Sequence, residues 1–217
     1  MASADRTEKL RSILGDERVA RLEQVLAQRT RHLTVVLENL YDSHNLSAVL
    51  RTADAFGVQE VHVVDEDGDF AIARKISQGA HKWLDIVVHS GTTASADCAA
   101  ALKGRGYRLA GATLAAGAVD LGDVDLSGRL AFVFGNEHEG LTDDMARACD
   151  SAYVIPMRGF VQSFNVSVSV AITLQHARSG RAWPPLDPAD AASVLEAWMG
   201  RALNQSRRVL GALGDPP

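Results

Sequence analysis

The chain has 217 residues, enough for one ordinary domain with extensions or for two small domains. Apolar residues make up 47% and charged residues 23%, a globular profile that excludes bulk disorder. Net charge is -5, which by itself argues against a nucleic-acid partner, but the charge is unevenly spread: +2 over residues 1–34, -8 over 35–175 and +1 over 176–217. Of the 22 basic residues 18 are arginine, the side chain suited to bidentate phosphate contact. Two cysteines, Cys98 and Cys149, exclude a disulfide framework and lack the paired spacing of a zinc site, so a reducing, cytoplasmic setting is expected. No apolar run nears the ~20 residues of a membrane helix. The charged N-terminus has no apolar h-region, so neither membrane insertion nor a signal peptide is expected.

Residues 5–29 are predicted to form one helix, because Leu10, Ile13, Leu14, Leu22, Val25 and Leu26 recur at three- and four-residue spacing with charges between them. LTVVLENL, from Leu33, has the content of a buried strand. Residues 42–45 form a turn, with Asn45 as N-cap of the helix LSAVLRTADAF and Gly57 at its C-terminal end. Strands are predicted over 60–64, 85–89, 107–112, 130–134 and 152–156. Helices are predicted over 70–78, 94–102 and 142–149, the last capped by Thr142. Residues 164–178 are ambiguous: alternation of Val and Ser from Val166 to Val170 slightly favours a strand, whereas the length of the run to Arg178 suits a helix. Trp183-Pro184-Pro185 marks a boundary, and an amphipathic helix follows from about Pro188, with Ala192, Leu195, Trp198 and Met199 on one side. Strands alternating with helices imply an α/β fold with a mostly parallel sheet covered on both faces.

Such a sheet binds ligands at the carboxyl ends of its strands. The first strand is not followed by a glycine fingerprint, and the chain has neither a GxxxxGK[ST] loop nor a GxSxG elbow. His138-Glu139 lacks the second histidine of HExxH, and the seven histidines show no ligand spacing, so no metal is expected. Three segments stand out. In the first, Asn45 and Arg51 share the helix after the first strand. Arg51 would either clamp a phosphate or pair on the surface with Asp54 or Glu60. In the second, the strand ending Phe132-Val-Phe-Gly135 runs into Asn136 and Glu137. Gly135 permits close backbone approach by a ligand and Glu137 can accept hydrogen bonds, unless the segment is a plain turn. The third, IPMRGFVQSFNVSV from Ile155, is a loop rich in small polar side chains, in which Ser163 or Asn165 would also serve as a helix cap.

Together these segments resemble the three motifs of the SpoU family of RNA ribose 2'-O-methyltransferases, in the SPOUT superfamily. The resemblance runs from about Leu33 to Arg178 and rests chiefly on LTVVLENLYDSHNLSAVLRTADAFGV and IPMRGFVQSFNVSVSVAI. The flanking extensions and SQGAHKWLDI look most like the bacterial tRNA (guanosine-18) branch of that family.

The resemblance implies a SPOUT fold with a deep C-terminal trefoil knot over residues 33–180, a helical RNA-binding extension over 1–32 and a second helical extension over 181–217. It implies bent S-adenosyl-L-methionine held by loops containing Ala112, Thr113, Gly135, Ile155, Met157 and Phe164, and a homodimer packed through the knot. It makes Arg51 the catalytic arginine, supported by Asn45, Glu137, Ser163 and Asn165, and turns 166–178 into a helix. The substrate it implies is the ribose 2'-OH of guanosine 18 in tRNA. Alternatives are ribosomal RNA, another tRNA position, or a non-catalytic RNA-binding protein of the same fold. The basic helices would grip tRNA through residues such as Arg11, Arg18, Arg21 and Arg178, with Arg6, Lys9 and Arg29 in the same N-terminal stretch and Arg201, Arg207 and Arg208 in the C-terminal one.

Overall fold

The computed structural model describes residues 2–66 and 82–212, with side chains over 6–66 and 82–204. The helix expected at 70–78, the first half of SQGAHKWLDI and the side chains of Arg207 and Arg208 lie outside the described residues. The chain divides into two compact units. One comprises the residues up to Arg29 together with those from Pro185 onward, and the other is Thr30–Pro184.

Among its described residues the larger unit holds seven strands, β1 (Leu33–Glu38), β2 (Glu60–Asp65), β3 (Asp85–Ser90), β4 (Tyr107–Ala112), β5 (Val119–Asp120), β6 (Arg129–Phe134) and β7 (Ser151–Val154). All are parallel, in the order β3-β2-β1-β6-β4-β7-β5. Its helices among the described residues are α3 (Ser43–Ala55), α4 (Ala94–Gly104), α5 (Asp143–Ala148) and α6 (Val166–Arg178), numbered after two in the other unit. Every residue of β1 and β2 is buried, because both faces of the sheet are covered. Val35, Leu37, Val61, Val63, Phe132 and Phe134 point to one face, under Val49, Leu50 and Ala53 of α3 and Val170, Leu174 and Ala177 of α6. Val36, Val64, Ala131 and Val133 point to the other, under Cys98 and Leu102 of α4 and Met145 of α5.

The run 166–178 is a helix because burial follows a helical period. Val166, Val170, Thr173, Leu174 and Ala177 are buried, while Val168, which a strand would bury with Val166 and Val170, is 43% exposed. Asp42, not Asn45, caps α3, since its carboxylate accepts from the His44 N–H at 2.8 Å. Asn45 therefore lies inside the first turn, and its amide is free to face other loops. Thr142 caps α5 and Asn165 caps α6, as two of the expectations had it. The Gly/Asp-rich connection before β6 contains the short β5 and a 3-10 turn at Leu121–Asp123 that the sequence did not announce.

In the smaller unit the single helix expected over 5–29 is two, α1 (Ala2–Leu14) and α2 (Asp16–Leu26). Gly15 separates them with φ 79°, a left-handed backbone that a continuous α-helix cannot contain. They pack with α7 (Pro188–Ala212), burying Leu10, Val19, Leu22 and Leu26 with Val194, Leu195, Trp198, Met199 and Ala202. Ala192 is exposed.

Candidate active site

A cavity of about 410 Å³ opens at the carboxyl ends of β4, β6 and β7, where the sheet's direction places a ligand site. Ala112, Thr113, Gly135, Ile155, Met157 and Phe164, the six residues singled out as cofactor contacts, all line it, as do Glu137 and Ser163.

The middle wall is a closed loop. Asn136 N–H donates to the Gly140 carbonyl at 3.0 Å and Gly140 N–H returns to the Asn136 carbonyl at 2.9 Å. The Asn136 side-chain oxygen accepts from the His138 and Glu139 N–H groups, and its amide donates to the Asn39 carbonyl at 2.9 Å. A Cβ on Gly135 would stand 2.1 Å from the Gly140 oxygen and 2.5 Å from Leu141 N. Gly135 is thus required by the loop folding back on itself; the close approach is the protein's own backbone rather than a ligand.

Behind the loop, the fully buried carboxylate of Glu38 accepts from Ser95 Oγ at 2.5 Å, Thr142 N–H at 2.9 Å and Thr142 Oγ1 at 2.7 Å. It fastens the end of β1 to α4 and α5. The next residue, Asn39, has φ 52° and accepts from the Glu66 N–H through its side chain. Glu38, Asn39 and Asn136 are the supporting residues the sequence reading passed over. An acid ending an otherwise apolar strand was the available signal.

At the rim three of the predicted catalytic residues are joined. Asn45 Nδ2 donates to Glu137 Oε1 at 2.5 Å, and Asn165 Nδ2 donates to Asn45 Oδ1 at 3.0 Å. Asn165 Oδ1 in turn accepts from the Ser167 N–H at 2.9 Å and from Ser167 Oγ at 2.6 Å. Ser163 lies exposed on the cavity wall. Arg51 is exposed on α3, outside the lining residues, and no hydrogen bond or ion pair joins it to another described residue. The Glu60 partner weighed for it is engaged instead by Arg31, Arg105 and His62. Burial holds the Tyr153 phenol, under the pocket floor, well above its ordinary range, so it acts as a neutral wall bonded to Thr173 at 3.1 Å. Burial likewise pushes the Cys149 thiol up to about 12.

The predicted RNA contacts are scattered. Arg11 pairs with Glu23, Arg21 bonds to Gln24 at 2.6 Å, Arg18 is exposed, and Arg178 is half-buried at the end of α6. Arg6 pairs with Glu196. Arg29 cannot meet a phosphate: it is 2% exposed, with its guanidinium 5.1 Å from the centre of the Trp198 ring. A planar cation stacked on an aromatic face suits the interior of a helical bundle better than a lysine would.

A parallel α/β sheet with a backbone-walled pocket at three strand ends, rimmed by linked amides and a carboxylate, defines a ligand-binding α/β protein outside the glycine-fingerprint folds. The chain belongs to the SpoU rRNA Methylase family, whose model matches residues 32–175. It is 38% identical over 190 residues to a tRNA (guanosine(18)-2'-O)-methyltransferase of Thermus thermophilus, covering 85% of this chain and 96% of the relative. A TrmH/SpoU tRNA modifying enzyme from A. aeolicus superposes with a TM-score of 0.75 at 32% identity, covering 86% of this chain and 96% of that one. An rRNA methyltransferase from Sinorhizobium meliloti, solved with AdoMet bound, matches with a TM-score of 0.61 at 27% identity, covering 75% of this chain and 61% of that one.

Proposed function

We propose that the chain is an enzyme that methylates the ribose 2'-oxygen of guanosine 18 in tRNA, using S-adenosylmethionine. The observation that carries this is the gathering of three loops around one cavity, with the Asn45–Glu137–Asn165 chain at its mouth. The cavity fits the cofactor: its volume falls in the ~300–1,000 Å³ range that encloses such ligands. Its apolar walls at Phe134, Ile155 and Met157 suit a purine and the methylenes beside a sulfonium, next to backbone groups at the strand ends. Ala112, Thr113, Gly135, Ile155, Met157 and Phe164 would hold it. When bound, S-adenosylmethionine supplies a sulfonium-activated methyl group. Transfer of that group to the ribose oxygen would leave the cofactor as a neutral thioether, and the 2'-hydroxyl proton would pass to the Glu137 carboxylate at the opening or to water.

The chain's residues orient that reaction. Glu137, with Oε1 already accepting from Asn45, keeps lone pairs for a ribose hydroxyl, and Ser163 and Asn165 border the same opening. A guanidinium stays protonated in proteins, so we assign Arg51 as a clamp on the neighbouring phosphate, lowering the barrier electrostatically, rather than as a base. Its lack of a partner among the described residues leaves its fork available for that anion. The exposed arginines Arg18 and Arg21, with half-buried Arg11 and with Arg178 at the end of α6, are read as contacts to the rest of the tRNA.

The trefoil knot belongs to the same reading. It is supported by β6 inserting between β1 and β4, and by the return of the chain after β7 to α3 through α6. A homodimer is supported by the exposed apolar side chains Phe160, Val161, Phe164 and Val168 beside the pocket. No described helix is long and apolar enough to cross a membrane, and a tRNA substrate supports a cytoplasmic location.

A tRNA transcript carrying 2'-deoxyguanosine at position 18 tests the chemistry. It should accept no methyl group, whereas the ribo-transcript does. Equal transfer to both would place the methyl elsewhere than the ribose oxygen.

A further inference from the structure

We propose that His62, His89 and Cys98 form a site for a divalent cation of the zinc class, at the opposite half of the sheet from the methyl-transfer pocket. One ligand atom from each residue lies within 4.8 Å of the others. No sequence spacing announces this cluster, because sheet pairing creates it. The parallel register sets Val64 against His89, so His62 and His89 are diagonal neighbours on one face, and α4 lays Cys98 over that face.

Their hydrogen bonds orient the rings as ligands. His62 Nε2 stands 2.9 Å from Glu60 Oε1, and the same carboxylate is held by Arg31 at 2.8 Å and Arg105 at 2.6 Å. A carboxylate between two guanidiniums only accepts, so the proton between them sits on His62 Nε2. Its Nδ1 lone pair then points at His89 Nε2, 3.0 Å away. A ring N–H given to a carboxylate, with the other nitrogen turned to a shared point, is the arrangement that fixes metal-ligating histidines. Two nitrogens at ~2.0–2.1 Å from one tetrahedral ion stand about 3.3 Å apart, a few tenths of an ångström beyond the present pair, and the Cys98 sulfur, within 4.8 Å of both, would close on the same ion.

Two imidazoles and a thiolate are the donor set that selects zinc over magnesium or calcium, leaving a fourth position for water. On binding, His89 moves its Nε2 proton to Nδ1, and the Cys98 thiol releases one proton to solvent. The ion would join β2, the edge strand β3 and α4. Among the described residues β3 pairs only with β2, so an ion there would tie down an edge strand. The pocket lies at β6, β4 and β7, so methyl transfer should not need the ion.

The test uses the full chain without an affinity tag, stripped with a chelator and titrated with cobalt(II). One equivalent per chain should give the visible bands of a tetrahedral ion and a near-ultraviolet thiolate-to-cobalt band, both removed by zinc. Cys98→Ser should lose the thiolate band, and Cys149→Ser should keep it. His89→Gln, at a half-buried position and checked for parental circular dichroism, should weaken cobalt binding at least tenfold and abolish any zinc-dependent rise in Tm. A folded chain with no tetrahedral spectrum overturns the proposal. So does a thiolate band surviving Cys98→Ser, or His89→Gln binding cobalt as tightly as the parent.

Discussion

Gly135→Ala isolates the geometry that the cofactor loop depends on. The added Cβ would lie 2.1 Å from the Gly140 oxygen, 2.2 Å from its carbonyl carbon and 2.5 Å from Leu141 N. Non-bonded heavy atoms rest at about 3.5–4.0 Å, so the 136–141 loop must retreat by more than about 1 Å. That breaks the paired Asn136–Gly140 backbone bonds of 3.0 and 2.9 Å. At ~0.5–1.5 kcal/mol for each bond, the loss is about 1–3 kcal/mol, which lowers Tm by several degrees in a chain of this size. The larger effect falls on the pocket, whose wall this loop forms. A displacement of about 1 Å can cost ~100-fold in turnover, and affinity for S-adenosylmethionine should drop more than tenfold. Calorimetry measures both: a thermal scan, then titration with the cofactor. Gly140→Ala is the control. Its φ of 74° makes it strained by about 1–2 kcal/mol, but nothing lies within 4 Å of the added atom, so cofactor affinity should change far less. A Gly135→Ala protein that binds the cofactor with parental affinity would refute the steric argument.

Arg51→Ala should abolish methyl transfer while cofactor titrations stay near parental values, and Arg51→Lys should fail as well, since a point charge does not replace a bidentate fork; near-normal turnover by the lysine variant would contradict the clamp. Glu60 is held down to about 2 by hydrogen bonds from His62 and Arg105 that overcome its burial, so its contribution to stability is full above its ordinary value of 4.5 and is lost as pH falls from there toward 2. Acid unfolding followed by circular dichroism should therefore lose this dependence in Glu60→Gln. The two terminal segments share one core, so deleting either exposes the other's apolar face. Charge replacement is the cleaner test: Arg11→Gln, Arg18→Gln and Arg21→Gln together should make the log–log salt slope for tRNA binding shallower by about 2–3, with cofactor affinity unchanged. An unchanged slope would move the tRNA grip to the core.

The alternation of strands and helices and the parallel sheet were legible because each follows from local pattern, whereas the three loops that build the pocket, the Ala112–Thr113 loop above all, came from the resemblance to the SpoU motifs. Buried β-branched runs and caps are written within a few residues of one another. The sequence misled where a local signal had two solutions. Asn45 and Asp42 are both good caps, and the choice of Asp42 released Asn45 to bond Glu137, 92 residues away. The Val/Ser alternation of 166–170 resembled a strand until the α3 surface selected the helical stripe instead. Gly15 sat inside an apolar period that continues on both sides, so only its positive φ shows the break. Long-range placement was out of reach of any pattern. Arg29 looked like one more surface cation and is buried on Trp198, and the His62–His89–Cys98 cluster exists only because strand register and α4 bring it together.

The most direct test of methyl transfer to guanosine 18 is to incubate the purified protein with tritiated S-adenosylmethionine and an unmodified tRNA transcript, then digest and map the label. The account predicts a single labelled nucleotide, 2'-O-methylguanosine at position 18. Label at another position, label appearing only when ribosomal RNA is supplied, or no label from a folded, cofactor-binding protein would contradict it.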